Sequence, residues 1–406
     1  MDFNENPEEA SFRAEARAWL EANAPRGERG RSGGLTDAHS EAEAAHVARA
    51  KAWQSTLYAA GWAGITWPSE YGGRGDTGVV QSIFSQEEAR CGAPASIFAV
   101  GLGMVGPTLI AHGTDAQKKR FLDPMLRGEE VWCQLFSEPG AGSDLAGLAT
   151  RAERDGDEFI VNGQKVWTSG AHYSDYGILL TRTNPDAPKH RGITYMLVDM
   201  RSPGIDVRPL RQITGAAHFN EVFLTDVRVP ADQVIGEVDD GWRVTLTTLI
   251  NERTLIGGGA GGGDLFTDMA EMARRLGRSD DPIVRQGLAS VYTRLELMRY
   301  LGMRARTAVS QGQAPGPESS VMKLAYSQNS AVLASLALEI EGAGGMLAEG
   351  PNDESEWHDY FLGHWSSRIG GGTDQVQRNI IGERVLGLPG DIRVDKSIPF
   401  REVPRS

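Results

Sequence analysis

Two cysteines, Cys91 and Cys133, are all that this chain of 406 residues carries. So few thiols exclude a disulfide framework and a cysteine-built metal site, and both are expected as buried free thiols. A basic surplus is also missing: 41 Lys and Arg stand against 54 Asp and Glu, a formal net charge of −13. That balance excludes a general nucleic-acid binder, which needs a basic face, and leaves any anionic ligand to be held by local donors. No apolar run approaches the ~20 residues that span a bilayer. The acidic start "MDFNENPEEASFRAEARAWL" lacks the basic and apolar stretches of a secretory leader. The expectation is a cytoplasmic protein with no membrane span. A hydrophobic fraction of 40% excludes general disorder, and the length predicts two or three packed units with room for a buried cofactor.

What is present changes texture twice. Residues 1–130 are rich in Ala, Glu and Arg, with Phe12, Ala16, Trp19 and Leu20 at helical spacing. From "VWCQLF" onward, residues 131–240 hold short β-branched or aromatic runs such as "DEFIVNGQKVWTS", "YGILLTR" and "GITYMLVDM". Turn residues in "DGD", "NG" and "SPG" separate them. Helical patterns return over 241–406, with "GGGAGGG" (257–263) as the one low-complexity piece. The order is helical, β, helical, an α+β multidomain chain.

The segment "GLGMVG" (101–106) fits G-x-G-x-x-G and has Asp123 at the distance of a ribose-binding acid. A dinucleotide fold also needs parallel β-α-β units around it, and the preceding "YAAGWAGITWPSEYGGRG" offers no such strands. Close helix packing or a loop near a ligand is the better reading. More informative is "CQLFSEPGAGSDLAGLAT" (133–150), a turn of small residues that exposes backbone donors beside the hydroxyls of Ser137 and Ser143. With it come "NGQKVWTSGAHYSD" (162–175) and, far downstream, "RIGGGTDQVQRNIIGERVLGLP".

These blocks, with "FNEVFLTDVRVPADQVIGEVDDGW" and "GWAGITWPSEYGGRG", resemble the acyl-CoA dehydrogenase family over nearly the whole chain. The resemblance implies an N-terminal helical domain, a central barrel-like β-sheet domain and a C-terminal four-helix bundle. It implies noncovalent FAD, an acyl-CoA substrate, an electron-transferring flavoprotein as acceptor, and a dimer or tetramer, homomeric or heteromeric. Carried over by residue, Leu135, Phe136 and Ser137 would line the flavin, Trp167 and Ser169 would cover its other side, and Thr373 and Gln375 would contact the adenosine diphosphate portion. Ser143 would sit near the CoA. A Trp at 167 could equally be an ordinary aromatic of a sheet core.

Many family members place the base that removes the α-proton just before the Gly-Thr of the C-terminal motif. Here that position is Gly371, which has no ionisable side chain. In "LTTLINERTLIGGG", Glu252 before Arg253 resembles the arrangement of isovaleryl- and long-chain-type members, whose base enters from a helix. A carboxylate must take the α-proton as hydride leaves the β-carbon for flavin N5, and a dry pocket would raise its basicity. Gly371 would keep one role, its N–H serving the enolate-like oxygen. Arg253 would orient the CoA side or the base. Glycines at 257–259 and 370–372 would leave room for a bulky acyl chain. The chain departs from the family at "ARRLGRSDDPIVRQ", where Arg275 or Arg278 would have to replace an FAD-reaching arginine, and at "LEIEGAGG", with Glu339 for Gln. Two other readings stay open: a flavin oxidase or monooxygenase on the same fold, and a non-catalytic subunit that completes a partner's FAD site.

Overall fold

The structure is a computed structural model that describes residues 5–25, 41–91, 93–94, 96–257, 265–310, 316, 319–347 and 355–404, without the side chains of 253–257, 306, 309–310 and 355–356. Among the described residues, five α-helices come first: α1 (Pro7–Asn23), α2 (Glu41–Ala59), α3 (Gly78–Glu88), α4 (Gly106–His112) and α5 (Asp115–Arg127). Their ends are written in the sequence. Asn6 and Glu9 form a reciprocal capping box at α1, Thr114 and Gln117 do the same at α5, and Gly128 in the left-handed region stops α5.

Seven strands follow: β1 (Trp132–Leu135), β2 (Arg151–Asp155), β3 (Glu158–Ser169), β4 (Tyr176–Arg182), β5 (Ile193–Asp199), β6 (Ile205–Leu210) and β7 (Phe219–Pro230). They form one sheet in the order β1-β4-β2-β3-β7-β6, with β5 added to β4. β4 and β5 are buried along almost their whole length, whereas β3 and β7 alternate buried and half-buried positions, as strands with one covered face must. Cys133 of β1, Phe159 of β3, Met196 of β5, Val222 of β7 and Val234 just beyond β7 share one core although β1, β3 and β5 are not neighbours in the sheet, so the sheet curls around it.

The last helices are α6 (Gly241–Gly257), α7 (Leu265–Arg275), α8 (Pro282–Ser310), α9 (Ser319–Glu341), α10 (Ser355–Gly363), α11 (Trp365–Ile369) and α12 (Asp374–Ile380). Met269, Val291, Leu333 and Trp357 bring α7, α8, α9 and α10 onto one core. Compactness divides the chain differently from sequence order. One unit gathers α1, α3 and the helices after Arg253; the other gathers α2, α4, α5, the sheet, α6 through Glu252, and the tail from Asp391. In the first unit, Glu87 on α3 binds Arg17 and Arg13 of α1, and these guanidinium groups hold its carboxyl down at about 2 against the opposing effect of burial.

"GLGMVG" is no dinucleotide turn. It is a π-helical turn, Gly101–Val105, running into α4, and it packs closely because a Cβ on Gly106 would lie 2.0 Å from the Trp67 ring. Cys133 is buried, its thiol pushed up to about 12 by desolvation, while Cys91 is only half-buried, which corrects the expectation of two buried thiols. Among the described residues, no helix is long and apolar enough to cross a membrane, and no group of three or more His, Cys, Asp or Glu could hold a metal ion.

The sheet is tied to the loop after β1 by a buried charge pair. Lys165 on β3, with no exposed surface, donates from Nζ to Glu138 Oε1 at 2.7 Å and to the Phe136 carbonyl at 3.1 Å. The same carboxylate accepts the Ala149 N–H at 2.7 Å and the Thr150 N–H at 2.9 Å. Burial works against ionisation of Glu138, yet Lys165 and the two amides together hold its carboxyl below the usual carboxylate range.

Gly106→Ala is expected to lower stability by about 1–3 kcal/mol through overpacking against Trp67, even though Ala favours a helix by about 1 kcal/mol, as read by urea denaturation. An unchanged midpoint would show that the indole moves aside. Lys165→Met should cost about 3–5 kcal/mol by stranding a buried carboxylate, and adding Glu138→Gln should return part of that loss. Because the folded pKa of Glu138 is depressed, its contribution is present above the ordinary carboxylate range and is lost as pH falls through the depressed value. The stability gap between wild type and Lys165→Met should therefore narrow on acidification.

Candidate active site

The loop after β1 and the end of β3 meet at Ser137. Its carbonyl accepts the Val166 N–H at 2.9 Å, which sets Ser137 beside the "WTS" segment of β3. At that point the pairing of β3 with β7 slips between Lys165 and Thr168, a bulge that turns the next side chain out of the sheet. The residue turned out is Trp167. It has φ of +60° and is 60% exposed, meeting Phe219 edge-on with ring centroids 6.0 Å apart. A bulky residue in the left-handed region costs about 1–3 kcal/mol, so the surrounding bonds must hold it there. Asn220 Nδ2 donates to the Thr168 carbonyl at 3.0 Å, and the Gly170 N–H donates to the His218 carbonyl at 3.0 Å. Asn220 Nδ2 also reaches His172 Nδ1 at 3.1 Å, and His172 Nε2 lies 2.9 Å from Glu43 of α2.

Trp167 is thus presented outward, and the sheet-core alternative for it is set aside. Ser169 is exposed on the same segment, and Ser137 is half-buried next to it. An indole face with two hydroxyls suits a planar, polar-edged ring, so the residues present fit a flavin. Leu135 is fully buried in the sheet core, and Phe136 is buried edge-on against Tyr195, directly before Ser137. Ser143 lies exposed on the loop between Glu138 and Thr150, where a Cβ on Gly140 or Gly142 would meet nothing within 4 Å.

α6 is locked at its start. Thr245 and Thr248 are fully buried; Thr248 Oγ1 contacts the Tyr195 hydroxyl at 3.1 Å and Thr108 Oγ1 at 2.9 Å. Glu252 follows Thr248 by four residues, on the same helix face, and is half-buried. The Arg253 side chain and residues 258–263, glycines apart from Ala260, lie outside the described residues.

In the other unit, Gly371 and Gly372 have φ of +64° and +87°. Gln377, buried, donates from Nε2 to both of their carbonyls at 3.2 and 3.3 Å. Thr373 caps α12, its hydroxyl accepting the Val376 N–H at 3.1 Å, and the Gln375 side chain is exposed. Asp374, two per cent exposed, accepts from Ser327 Oγ at 2.6 Å and Arg368 Nε at 3.1 Å, so the carboxylate nearest in sequence to Gly371 is bound to its own unit. Arg278 donates to the Glu339 and Ile340 carbonyls at the end of α9 and to Asp281, a helix-capping role. Lys165, Glu138, Asp374 and Gln377 were not singled out from sequence, although each lies inside a motif that was; burial is what distinguishes them.

Comparison with known proteins identifies the family. The N-terminal, middle and C-terminal domains of acyl-CoA dehydrogenases match residues 6–129, 133–227 and 239–386. Acyl-CoA dehydrogenase IpdE1 of Mycobacterium tuberculosis is 42% identical over 385 residues, spanning 94% of this chain and 98% of that protein. The solved Tcur3481-Tcur3483 steroid ACAD is 34% identical with a TM-score of 0.84, over 96% of this chain and all of that one. The crystal structure of the ChsE4-ChsE5 complex from Mycobacterium tuberculosis is 30% identical with a TM-score of 0.79, over 96% of this chain and 100% of that one. With all three of its domains matched in order, the chain belongs to the acyl-CoA dehydrogenase family, a family of flavoprotein oxidoreductases.

Proposed function

We propose that this acyl-CoA dehydrogenase uses FAD to introduce an α,β double bond into the thioester of a bulky, ring-bearing acyl group, with Glu252 as the base. The observation that carries the assignment of the base is the backbone at Gly371. Its positive φ, fixed by Gln377, suits a residue without a side chain, so the usual acid position is occupied by a glycine turn and the carboxylate must come from elsewhere. Glu252 supplies it from a helix whose preceding turns are clamped by Thr245 and Thr248. A base held on a rigid helix keeps its carboxylate at a set distance from the α-carbon, which is what proton transfer demands.

Trp167, Ser169 and Ser137 hold the isoalloxazine ring in this reading, and Thr373 and Gln375 the adenosine diphosphate portion. Bound FAD supplies the acceptor for the β-hydride. The Gly371 N–H donates to the thioester oxygen as negative charge grows on it, and Ser143 contacts the CoA. The bulky acyl group is supported by the likeness to a steroid ACAD. The solved relatives named above pair two differently named chains, which favours assembly with an unlike family member, and electron-transferring flavoprotein serves as the acceptor.

Anaerobic bleaching of the flavin by butyryl-, long-chain, branched and steroid-side-chain CoA thioesters tests this reading. Bleaching by the steroid-type thioester should be fastest in the wild type and about 10²- to 10⁴-fold slower in Glu252→Gln with its flavin still bound. Equal rates in the two proteins would remove Glu252 as the base. A preference for butyryl-CoA would remove the bulky acyl group.

A further inference from the structure

The match to the family's C-terminal domain ends at residue 386, yet the chain continues, and its tail packs with the sheet unit. The tail lies along the loop between β4 and β5. Pro399 bridges Pro188 in antiparallel fashion, the Phe400 N–H donates to the Ala187 carbonyl at 2.9 Å, and the Arg401 N–H donates to the Pro185 carbonyl at 3.1 Å. Two buried cations then connect this tail to a third segment, the Glu138–Thr150 loop.

Arg182, four per cent exposed, is the first. Its guanidinium carbon sits 3.8 Å from the centroid of the buried Phe400 ring, while Nη2 donates to the Ala146 and Leu148 carbonyls at 2.7 and 3.3 Å and Nη1 to the Lys189 carbonyl at 2.9 Å. Lys189, seven per cent exposed, is the second. Its ammonium contacts both carboxylate oxygens of Asp144 at 2.9 and 3.0 Å and also Asp395 of the tail. Burial opposes the charge on Lys189, but the Asp395 and Asp144 carboxylates hold its pKa above the ordinary lysine value, so it remains an ammonium that bridges the two acids. Asp144 is the immediate neighbour of Ser143, and the glycines before it offer the loop no packing of their own. Glu138 orders the two ends of this loop, and between them the segment around Asp144 depends on contacts that include the tail.

We propose that the C-terminal tail, Asp391–Pro404, is a strap that fixes the Glu138–Thr150 loop in the form that accepts the CoA portion of the substrate. Phe400 anchors the strap and Asp395 delivers its hold, through Lys189, to Asp144. Asp395 and Lys189 act through the loop and are positioning residues. The effect on substrate rests on the reading of Ser143 as a CoA contact; the effect on the loop does not.

Asp395→Asn in the full-length, flavin-loaded protein removes one arm of the Lys189 bridge and leaves Phe400 in place. A chain ending at Gly390 removes the whole strap. Hydrogen–deuterium exchange should accelerate about three- to tenfold for amides of residues 139–147 in Asp395→Asn, with β3 unchanged, and the KM for acyl-CoA should rise by a similar factor while kcat stays within about twofold. Unchanged exchange in that loop in both variants overturns the strap. If the loop loosens while Ser143→Ala leaves KM unaltered, the strap stands and the CoA contact at Ser143 falls.

Discussion

A lysine with no exposed surface is an unusual thing for a sheet to contain, and the rest of this site depends on it. Lys165 stands on β3, where an uncompensated ammonium would cost several kcal/mol, roughly, and its position is tolerable only because Glu138 and the Phe136 carbonyl complete its hydrogen bonds. In satisfying Lys165, Glu138 is drawn under the loop that follows β1 and organises that loop from within by accepting two of its later amides. One ion pair therefore brings Ser137, Ser143 and Trp167 onto a common framework. Such a pair adds little net stability over a well-packed apolar substitute, but together with the Val166–Ser137 backbone bond it fixes how the two chain segments adjoin.

Around that framework, the protein repeatedly places strain or emptiness where a ligand would act and rigid contacts one step behind. Trp167 is held in a left-handed backbone by Asn220, which is braced by His172 and Glu43. Glu252 lies one helical turn beyond a threonine clamp. Gly140 and Gly142 form an open stretch whose far end is held by Arg182 and Lys189. Such an arrangement is what preorganisation of a ligand site requires, with exposed groups placed by buried neighbours.

The legible part of the sequence was that in which local chemistry and long motifs coincide. The helical texture of the first 130 residues, the change to β texture near residue 131, and the separated family blocks could all be read without coordinates. "GLGMVG" shows how a short pattern misleads: its glycines answer to the Trp67 indole and not to a phosphate. Leu135 and Phe136 show a different limit: Leu135 ends β1 and Phe136 follows it, both are buried, and the motif does not say which neighbours cover them. Lys165 and Asp374 were illegible because a charged residue in a polar motif reads as solvated, and only burial shows that it is paired.

By itself the sequence determined the family, the helical–β–helical order, and the replacement of the usual acid by Gly371, because these depend on residue identity along the chain. Tertiary structure decided which carboxylates are already committed to partners, that Trp167 faces outward, and that the last residues return to the Glu138–Thr150 loop. Those are consequences of contacts between segments tens to hundreds of residues apart. Pairing of Lys189 with Asp144 and Asp395 spans 45 and 206 residues, and no local pattern encodes it.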